Sequence, residues 1–177
     1  AFPLPLIESC MPSATPAGIC TDETELMLQK NNMSEAEREE FLDRFSEESD
    51  RTLVAFGIMG GIFGEGIDLK NDRLIGAIVV GTGLPQISNE RTILKDYYDA
   101  ENGCGFDYAF RYPGINKVLQ AAGRVIRTTE DTGVILLLDE RFWQREYDLL
   151  YPREWSDRKP CNIANVGKLV ADFWEQI

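Results

Sequence analysis

A glutamine and two arginines are the residues of this 177-residue sequence whose types and spacing best suit chemistry. Gln120, Arg124 and Arg127 lie about one helical turn apart, so on a helix they fall within about 60° of one another. The planar guanidinium of arginine matches the oxygen atoms of a phosphate group. The spacing therefore favours a phosphate-contacting face, although an ordinary amphipathic helix with a solvated basic face has the same pattern.

The helix that must position these residues is predicted from Pro113, which suits a first helical turn, to about Arg127. Asn116 and Lys117 flank its basic face. The predicted buried face consists of apolar residues on the opposite side of the same helix: Ile115, Val118, Leu119, Ala122, Val125 and Ile126. Although the whole chain has a net charge of −12, residues 111–127 contain four basic and no acidic side chains. Because the local field decides binding, the overall acidity weakens a nucleic-acid function without excluding it.

A glycine-rich segment, residues 60–69, follows an apolar run and is the second candidate for chemistry. Glycines allow a backbone to approach a ligand closely and leave N–H groups for phosphates. The segment does not match the phosphate-binding loop that ends in Gly-Lys-Ser/Thr, because Ile67 and Asp68 follow Gly66. A tight turn between a strand and a helix remains the alternative, but turning alone does not account for Glu65 and Asp68.

Short apolar strands that alternate with helices predict the fold. Strands are expected at residues 25–29, 53–59, 74–80 and 134–138. Helices are expected at 34–48, where Ser34 and Glu37 form a capping box, at 113–127 and at 163–174. Fully apolar strands indicate a mainly parallel sheet with helices on both faces. We therefore expect a three-layer α/β domain.

Four aromatic residues alternate with other residues at positions 106, 108, 110 and 112. A strand would place all four on one face. Such a face is either a core strand or a platform on which single-stranded bases stack. The sequence leaves both interpretations open.

Other residue patterns argue against metal sites and membrane spans. The sequence has no histidine, and its four cysteines, at positions 10, 20, 104 and 161, form no C-x-x-C pair, so no metal site is predicted. Scattered thiols fit a reducing compartment. The longest apolar stretch, residues 74–84, is shorter than the ~18 residues that a membrane helix needs.

Four segments together resemble a known family. Gln120–Arg127, Gln-Ala-Ala-Gly-Arg-Val-Ile-Arg, resembles motif VI of superfamily 2 helicases in the form that the XPD and DinG-like family uses. Gly64–Asp68 resembles motif V of that family. Gly83–Gln86 is similar to the family's segment that follows the next strand, and Leu136–Phe142 is similar to its strand after motif VI. The segments lie in the family's order over about residues 51–151, and they are most similar to bacterial DinG-like members.

This resemblance implies a RecA-like fold and the second of two motor domains. We expect that domain at residues 23–177, after a poorly defined lead-in at 1–22, in a chain cut from a longer protein. The resemblance also implies ATP and Mg²⁺ at a site shared with an N-terminal motor domain that this sequence does not contain. An iron–sulfur cluster, where the family has one, belongs to that other half.

The resemblance assigns functions to individual residues of this sequence. The catalytic set is Arg127 as the first choice for an arginine finger, Arg124 as the second, and Gln120 as a positioning group. Nucleotide contacts are expected at Gly64, Gly66, Asp68 and Gly123. Contacts with single-stranded DNA are expected at Glu65, Pro85 and Lys117.

The implied function is an ATP-dependent DNA helicase that moves 5′ to 3′ in DNA repair, in the bacterial cytoplasm at the nucleoid. The isolated chain is expected to be inactive because it holds half of the ATP site. A non-catalytic RecA-like module that binds protein partners, with the acidic helix at 34–48 as its docking face, is the alternative. A small-molecule enzyme is a weaker third hypothesis, since there is no histidine and no evident nucleophile–base pair.

Overall fold

A computed structural model of the chain describes residues 24–30, 32–46, 50–60 and 74–177. The chain divides into two compact units, residues 1–138 and 139–177. All strands of the described residues belong to the first unit. Among the helices in these ranges, none has the length and hydrophobicity that a membrane span requires.

Four strands form two parallel pairs. Strands β1 (Thr24–Leu28) and β2 (Thr52–Phe56) make one pair, with Thr24 opposite Thr52. Strands β3 (Gly76–Val80) and β4 (Val134–Leu138) make the other, with Gly76 opposite Val134. The four predicted strands are confirmed with small changes at their ends. Strands β2, β3 and β4 are short and mainly apolar, as expected for parallel pairing, whereas β1 also contains Thr24 and Glu25.

The predicted three-layer sheet is found only in part. The described strands are parallel, but they form two separate two-stranded sheets rather than one. In β3, Val79 is 4% exposed, whereas its neighbours Ile78 and Val80 are 64% and 66% exposed. Because successive side chains of a strand point to opposite faces, β3 is covered on one face and open on the other.

The first helix, α1 (Glu35–Asp43), begins with the predicted capping box. The Ser34 hydroxyl accepts a hydrogen bond from the Glu37 N–H at 3.3 Å, and the Glu37 carboxylate accepts one from the Ser34 N–H at 2.8 Å. Phe41 is buried, and its ring lies beside that of Phe45, with centroids 6.1 Å apart. The helix ends at Asp43, earlier than predicted, and Arg44 forms an ion pair with Glu25 of β1.

Helix α2 (Asn89–Asn102) and the turn after it overturn the prediction of an aromatic strand. The helix ends at Gly103 in the left-handed conformation, and the Asp99 carboxylate accepts the Gly105 N–H at 2.8 Å. The chain then forms a π-helical turn, Asp107–Arg111. Helical geometry brings aromatic residues four positions apart into contact, with ring centroids 5.5 Å apart for Phe106 and Phe110.

Helix α3 (Tyr112–Ala122) continues from this turn, with Pro113 in its first turn as predicted. Ile115, Val118 and Ala122 are buried. The predicted end at Arg127 is wrong, because the helix stops at Gly123. Beyond Gly123, the N–H of Arg124 donates to the Ala121 carbonyl, and the N–H of Val125 donates to the Ala122 carbonyl. These bonds span three residues instead of four, so the last turn is wound more tightly than an α-helix. Val125 is still buried, but Ile126 is 43% exposed and is not a core residue.

Two glycines allow the segment after β3 to cross the first turn of α3. A Cβ atom on Gly83 would lie 2.7 Å from the carbonyl oxygen of Gly114. A Cβ atom on Gly114 would lie 2.6 Å from the carbonyl oxygen of Thr82, which is itself buried. Gly83 also has a φ of +68°, which favours glycine. The crossing fixes the position of Leu84 and Pro85 relative to α3.

The second unit is helical and has its own small core. It contains 3₁₀ turns at Glu140–Trp143 and Arg153–Trp155, helix α4 (Arg145–Asp148) and helix α5 (Val166–Trp174). Phe142 and Tyr147 are buried, and the Tyr151 hydroxyl donates to the Phe142 carbonyl at 2.8 Å. Burial, with Tyr147 nearby, raises the pKa of Tyr151 to about 12. Helix α5 begins later than predicted, and Ile163 is 99% exposed.

Candidate functional site

The three candidate catalytic residues lie at the end of α3 and in the loop that follows. Gln120 is exposed on the last turn of the helix. Arg124 and Arg127 lie beyond its end and are half-buried, and the Nε atom of Arg127 is buried. The prediction that all three share one helical face is therefore wrong. It assumed a regular helix as far as Arg127, whereas the helix stops at Gly123.

A carboxylate that the sequence reasoning missed holds the main chain at Arg127. One oxygen of Asp131, Oδ2, accepts the N–H of Arg127 at 2.9 Å and the N–H of Thr128 at 2.7 Å. The Thr128 hydroxyl in turn accepts the N–H of Glu130 at 3.2 Å. The hydrogen bonds from Arg127 and then Thr128 hold the pKa of Asp131 below its usual range. Asp131 therefore acts on this loop as an ionised acceptor.

The loop from Arg124 to Gly133 is also fixed by packing. Val125 is 5% exposed, and a Cβ atom on Gly133 would lie only 2.4 Å from its Cγ1 atom. The same Cβ atom would be 3.0 Å from the carbonyl oxygen of Ile75, just before β3. The N–H of Val134 donates to that carbonyl at 3.0 Å. The loop that carries both arginines is thus anchored to the β3–β4 pair.

Gly123, a predicted nucleotide contact, is exposed at the carboxyl end of α3. Its N–H donates to the Leu119 carbonyl at 2.8 Å, so this N–H group forms the last hydrogen bond of the helix. The other predicted nucleotide contacts, Gly64, Gly66 and Asp68, and the predicted DNA contact Glu65 lie outside the described residues. All of these assignments stay predictions.

Lys117, a predicted DNA contact, extends along the edge of α3 over Gly60. A Cβ atom added to Gly60 would lie 3.5 Å from the Cδ and Cε atoms of Lys117 and 3.8 Å from its Nζ atom. Gly60 has a φ of +83° and is the first residue of the glycine-rich segment, and it is the one residue of that segment that the structure describes. The Lys117 ammonium group is thus brought to the start of that segment.

Pro85, also a predicted DNA contact, lines a cleft of about 370 Å³. The cleft is mostly apolar, and its lining residues are Leu84, Pro85, Ile87, Thr92, Lys95, Phe106 and Phe110. Phe110 is 8% exposed and packs in the core, whereas Phe106 is 42% exposed. The core interpretation of the aromatic residues therefore holds for Phe110, and Phe106 remains open at the cleft.

The chemistry of the described site suits phosphate better than a metal ion. Two guanidinium groups and an amide lie within one short segment, and arginine donors match phosphate oxygens. No group of three or more Asp, Glu, Cys or His side chains in the described ranges is arranged to hold a metal ion. Of the cysteines, Cys104 and Cys161 are free thiols within these ranges.

Known proteins that are similar to this chain include several named as DNA helicases. The family described as "Helicase C-terminal domain" matches residues 13–158. The chain is 32% identical over 145 residues to the ATP-dependent DNA helicase XPD of Sulfolobus acidocaldarius, covering 76% of this chain and 24% of that protein. It is 26% identical over 156 residues to the ATP-dependent DNA helicase YoaA of Haemophilus influenzae, covering 81% and 23%. For the ATP-dependent DNA helicase DinG of Photobacterium profundum, the identity is 32% over 101 residues, covering 56% and 14%.

A solved structure of an XPD helicase has the same fold, with a TM-score of 0.55 and 22% identity over 72% of this chain and 22% of the other. The chain thus spans at most about a quarter of the length of these relatives. The family match covers most of the sequence, including the segment from Gln120 to Arg127. The chain therefore belongs to the helicase C-terminal domain family, with relatives of the XPD and DinG type.

Proposed function

We propose that this chain is the second motor domain of an ATP-dependent DNA helicase and shares an ATP site with a first motor domain of the same protein. The observation that carries this proposal is the family match over residues 13–158, which includes the Gln120–Arg127 segment. It is supported by the relatives named as ATP-dependent DNA helicases. The resemblance of the motifs to DinG-like helicases supports 5′-to-3′ movement and a function in DNA repair.

In this proposal Arg127 is the arginine finger and Arg124 is its neighbour on the phosphate. Negative charge spreads over the equatorial oxygens of the transferred phosphoryl group, and a guanidinium group stabilises that charge. Gln120, exposed one turn earlier, orients the nucleotide or the neighbouring motifs. The anchored loop supports this assignment, since a finger must be held in place before the reaction to act on a transition state.

The rest of the ATP site belongs to the first motor domain. Phosphoryl transfer needs a backbone cradle with a lysine, a carboxylate-held Mg²⁺ and an arginine. This sequence has no Gly-x-x-x-x-Gly-Lys-Ser/Thr loop, and the described residues offer no carboxylate cluster for Mg²⁺. We assign the cradle, the Mg²⁺ and any iron–sulfur cluster to the first domain.

Single-stranded DNA is the proposed track of this motor. Pro85 and the exposed ring of Phe106 offer apolar surfaces on which bases can stack. Lys117 offers a cation for a backbone phosphate beside the glycine-rich segment, where Glu65 is the further predicted contact. With a net charge of −12, the chain alone is expected to bind DNA weakly, and binding should fall steeply as salt rises.

The direct test of a shared site compares ATP turnover by this chain alone with turnover by the protein that contains both motor domains. We expect no turnover by the chain alone, with or without single-stranded DNA, because a finger without a phosphate cradle has nothing to act on. The two-domain protein should hydrolyse ATP and be stimulated by the same DNA. Robust hydrolysis by the isolated chain would show that it is not half of a shared site.

A further inference from the structure

Arg127 lies in the loop after α3 and not in the helix itself. Since the helix ends at Gly123, the helical backbone does not determine where the guanidinium group of Arg127 lies. We propose that Asp131 is a positioning residue that sets Arg127 for contact with the phosphate of ATP. This inference rests on the proposed function of Arg127 as an arginine finger.

The geometry at Asp131 carries the proposal. A single oxygen, Oδ2, accepts two consecutive backbone N–H groups, those of Arg127 at 2.9 Å and Thr128 at 2.7 Å. Aspartate side chains commonly fix turns through such bonds to nearby backbone, and an ionised acceptor makes them stronger. The two bonds orient the peptide planes on both sides of the Arg127 Cα atom, so they fix the direction in which its side chain leaves the backbone.

The remainder of the loop explains why this clamp matters. The packing of Val125 against Gly133 holds the ends of the loop. Between these anchors, Thr128, Thr129 and Glu130 are exposed. Asp131 is therefore the residue within this stretch whose carboxylate ties the backbone at Arg127 back to the loop.

The position of a finger has a large effect on the rate of reaction. A displacement of about 1 Å in a catalytic group can lower the rate by about 10²-fold. Replacing Asp131 by alanine removes both hydrogen bonds and allows such a displacement. We expect Asp131→Ala to lower kcat by about 10- to 100-fold, with a much smaller change in the Kd for ATP, since the finger acts mainly on the transition state.

The experiment measures kcat, the Kd for ATP and thermal melting in the full two-domain protein. Asp131→Asn keeps an oxygen acceptor and should retain kcat within a few-fold of wild type. Asp131→Glu keeps the charge but moves the carboxylate, and should lower kcat as Asp131→Ala does. Glu130→Ala is the matched control, because it removes an equal charge from the adjacent exposed residue and should leave kcat unchanged.

Coupling to Arg127 separates a positioning function from a general structural one. If Asp131 acts through Arg127, Asp131→Ala should add little to the loss caused by Arg127→Ala in the double variant. Wild-type kcat in Asp131→Ala, an Asp131→Asn protein as impaired as the alanine variant, or fully additive losses would each overturn the proposal. If Asp131→Ala does not fold, the Asn and Glu variants decide alone.

The same series separates failure of this inference from failure of the proposed function. A normal kcat in Arg127→Ala would remove the arginine finger and the inference with it. A large loss in Arg127→Ala together with a normal kcat in Asp131→Ala would leave the finger in place and reject Asp131 alone.

Discussion

The glycine crossing between the β3 loop and α3 gives a prediction whose magnitude can be worked from the structure. In Gly83→Ala, the residue must keep a φ of +68°, which costs about 1–2 kcal/mol for a residue with a Cβ atom. The new Cβ atom would also lie 2.7 Å from the Gly114 carbonyl oxygen. Relieving such overpacking costs about 1–3 kcal/mol more. We therefore expect Gly83→Ala to reduce the free energy of unfolding by about 2–5 kcal/mol.

Gly103 provides a matched control for the backbone cost. It has a similar φ of +73°, but no heavy atom lies within 4 Å of its Cβ position. Gly103→Ala should therefore reduce the free energy of unfolding by only about 1–2 kcal/mol, the cost of the left-handed conformation for a residue with a Cβ atom. The difference between the two variants isolates the crossing, and Gly114→Ala, with its Cβ atom 2.6 Å from the Thr82 carbonyl oxygen, should be destabilised without the φ cost.

Urea unfolding followed by circular dichroism measures these differences, with the slope of the transition checked for each variant. In thermal unfolding each kcal/mol should lower Tm by roughly 2–4 °C for a chain of this size. If Gly83→Ala and Gly103→Ala lost equal free energies of unfolding, this would refute the close approach of Gly83 to Gly114. A Gly114→Ala protein as stable as wild type would refute it independently.

Two further predictions concern charge. Lys117→Met in the two-domain protein keeps the side-chain stem over Gly60 but removes the cation, so the slope of log Kd against log salt concentration for single-stranded DNA should fall by about 0.7. The control Lys168→Met, at an exposed position in the second unit, should leave this slope unchanged. An unchanged slope in Lys117→Met would exclude a phosphate contact. The two hydrogen bonds from Arg141 hold the pKa of Asp139 below its usual range. The ionised Asp139 carboxylate therefore stabilises the folded protein fully above the ordinary Asp pKa near 3.9, and this stabilisation is lost as the pH falls through the lower pKa of the folded state. Urea midpoints at pH 6 and pH 3 should therefore differ more in the wild type than in Asp139→Asn, and an equal drop would contradict this.

Local sequence signals predicted much of the fold. Strands β2, β3 and β4 were predictable because each is a short, mainly apolar run, and Val134–Leu138 agrees residue for residue. The capping box of Ser34 and Glu37 was predictable because its hydrogen bonds join residues three positions apart. The pairing of strands was not, since it depends on contacts between distant segments, and apolar runs alone do not show which strands are neighbours.

The aromatic segment shows how one pattern fits two structures. Residues spaced by two positions also contain pairs spaced by four, as in Phe106 with Phe110 and Tyr108 with Tyr112. The first spacing indicates a strand and the second a helix. Tertiary contacts decide between them, and here the Arg91 guanidinium of α2 donates to the Ala109 carbonyl of the π-helical turn at 3.1 Å.

The residues assigned to the candidate site stay predictions, and the local geometry around Arg124 and Arg127 was not predicted from the sequence. The helical wheel that placed Gln120, Arg124 and Arg127 together uses side-chain polarity alone and does not show where a helix stops. Gly123 was a signal for that stop, because glycine commonly marks a helix carboxyl end. Asp131, placed shortly after two threonines, was the signal for a turn fixed by a side chain.

The kinetic effect of Arg127→Ala in the full two-domain protein is the measurement that tests the shared ATP site most directly. We predict that kcat falls by roughly 10³-fold or more, the range for arginine fingers, while the Kd for ATP changes little. Arg124→Ala in the same assay identifies the second candidate. A normal kcat in Arg127→Ala together with a large loss in Arg124→Ala would move the finger to Arg124. Normal values in both variants would contradict the proposal that this chain supplies the finger.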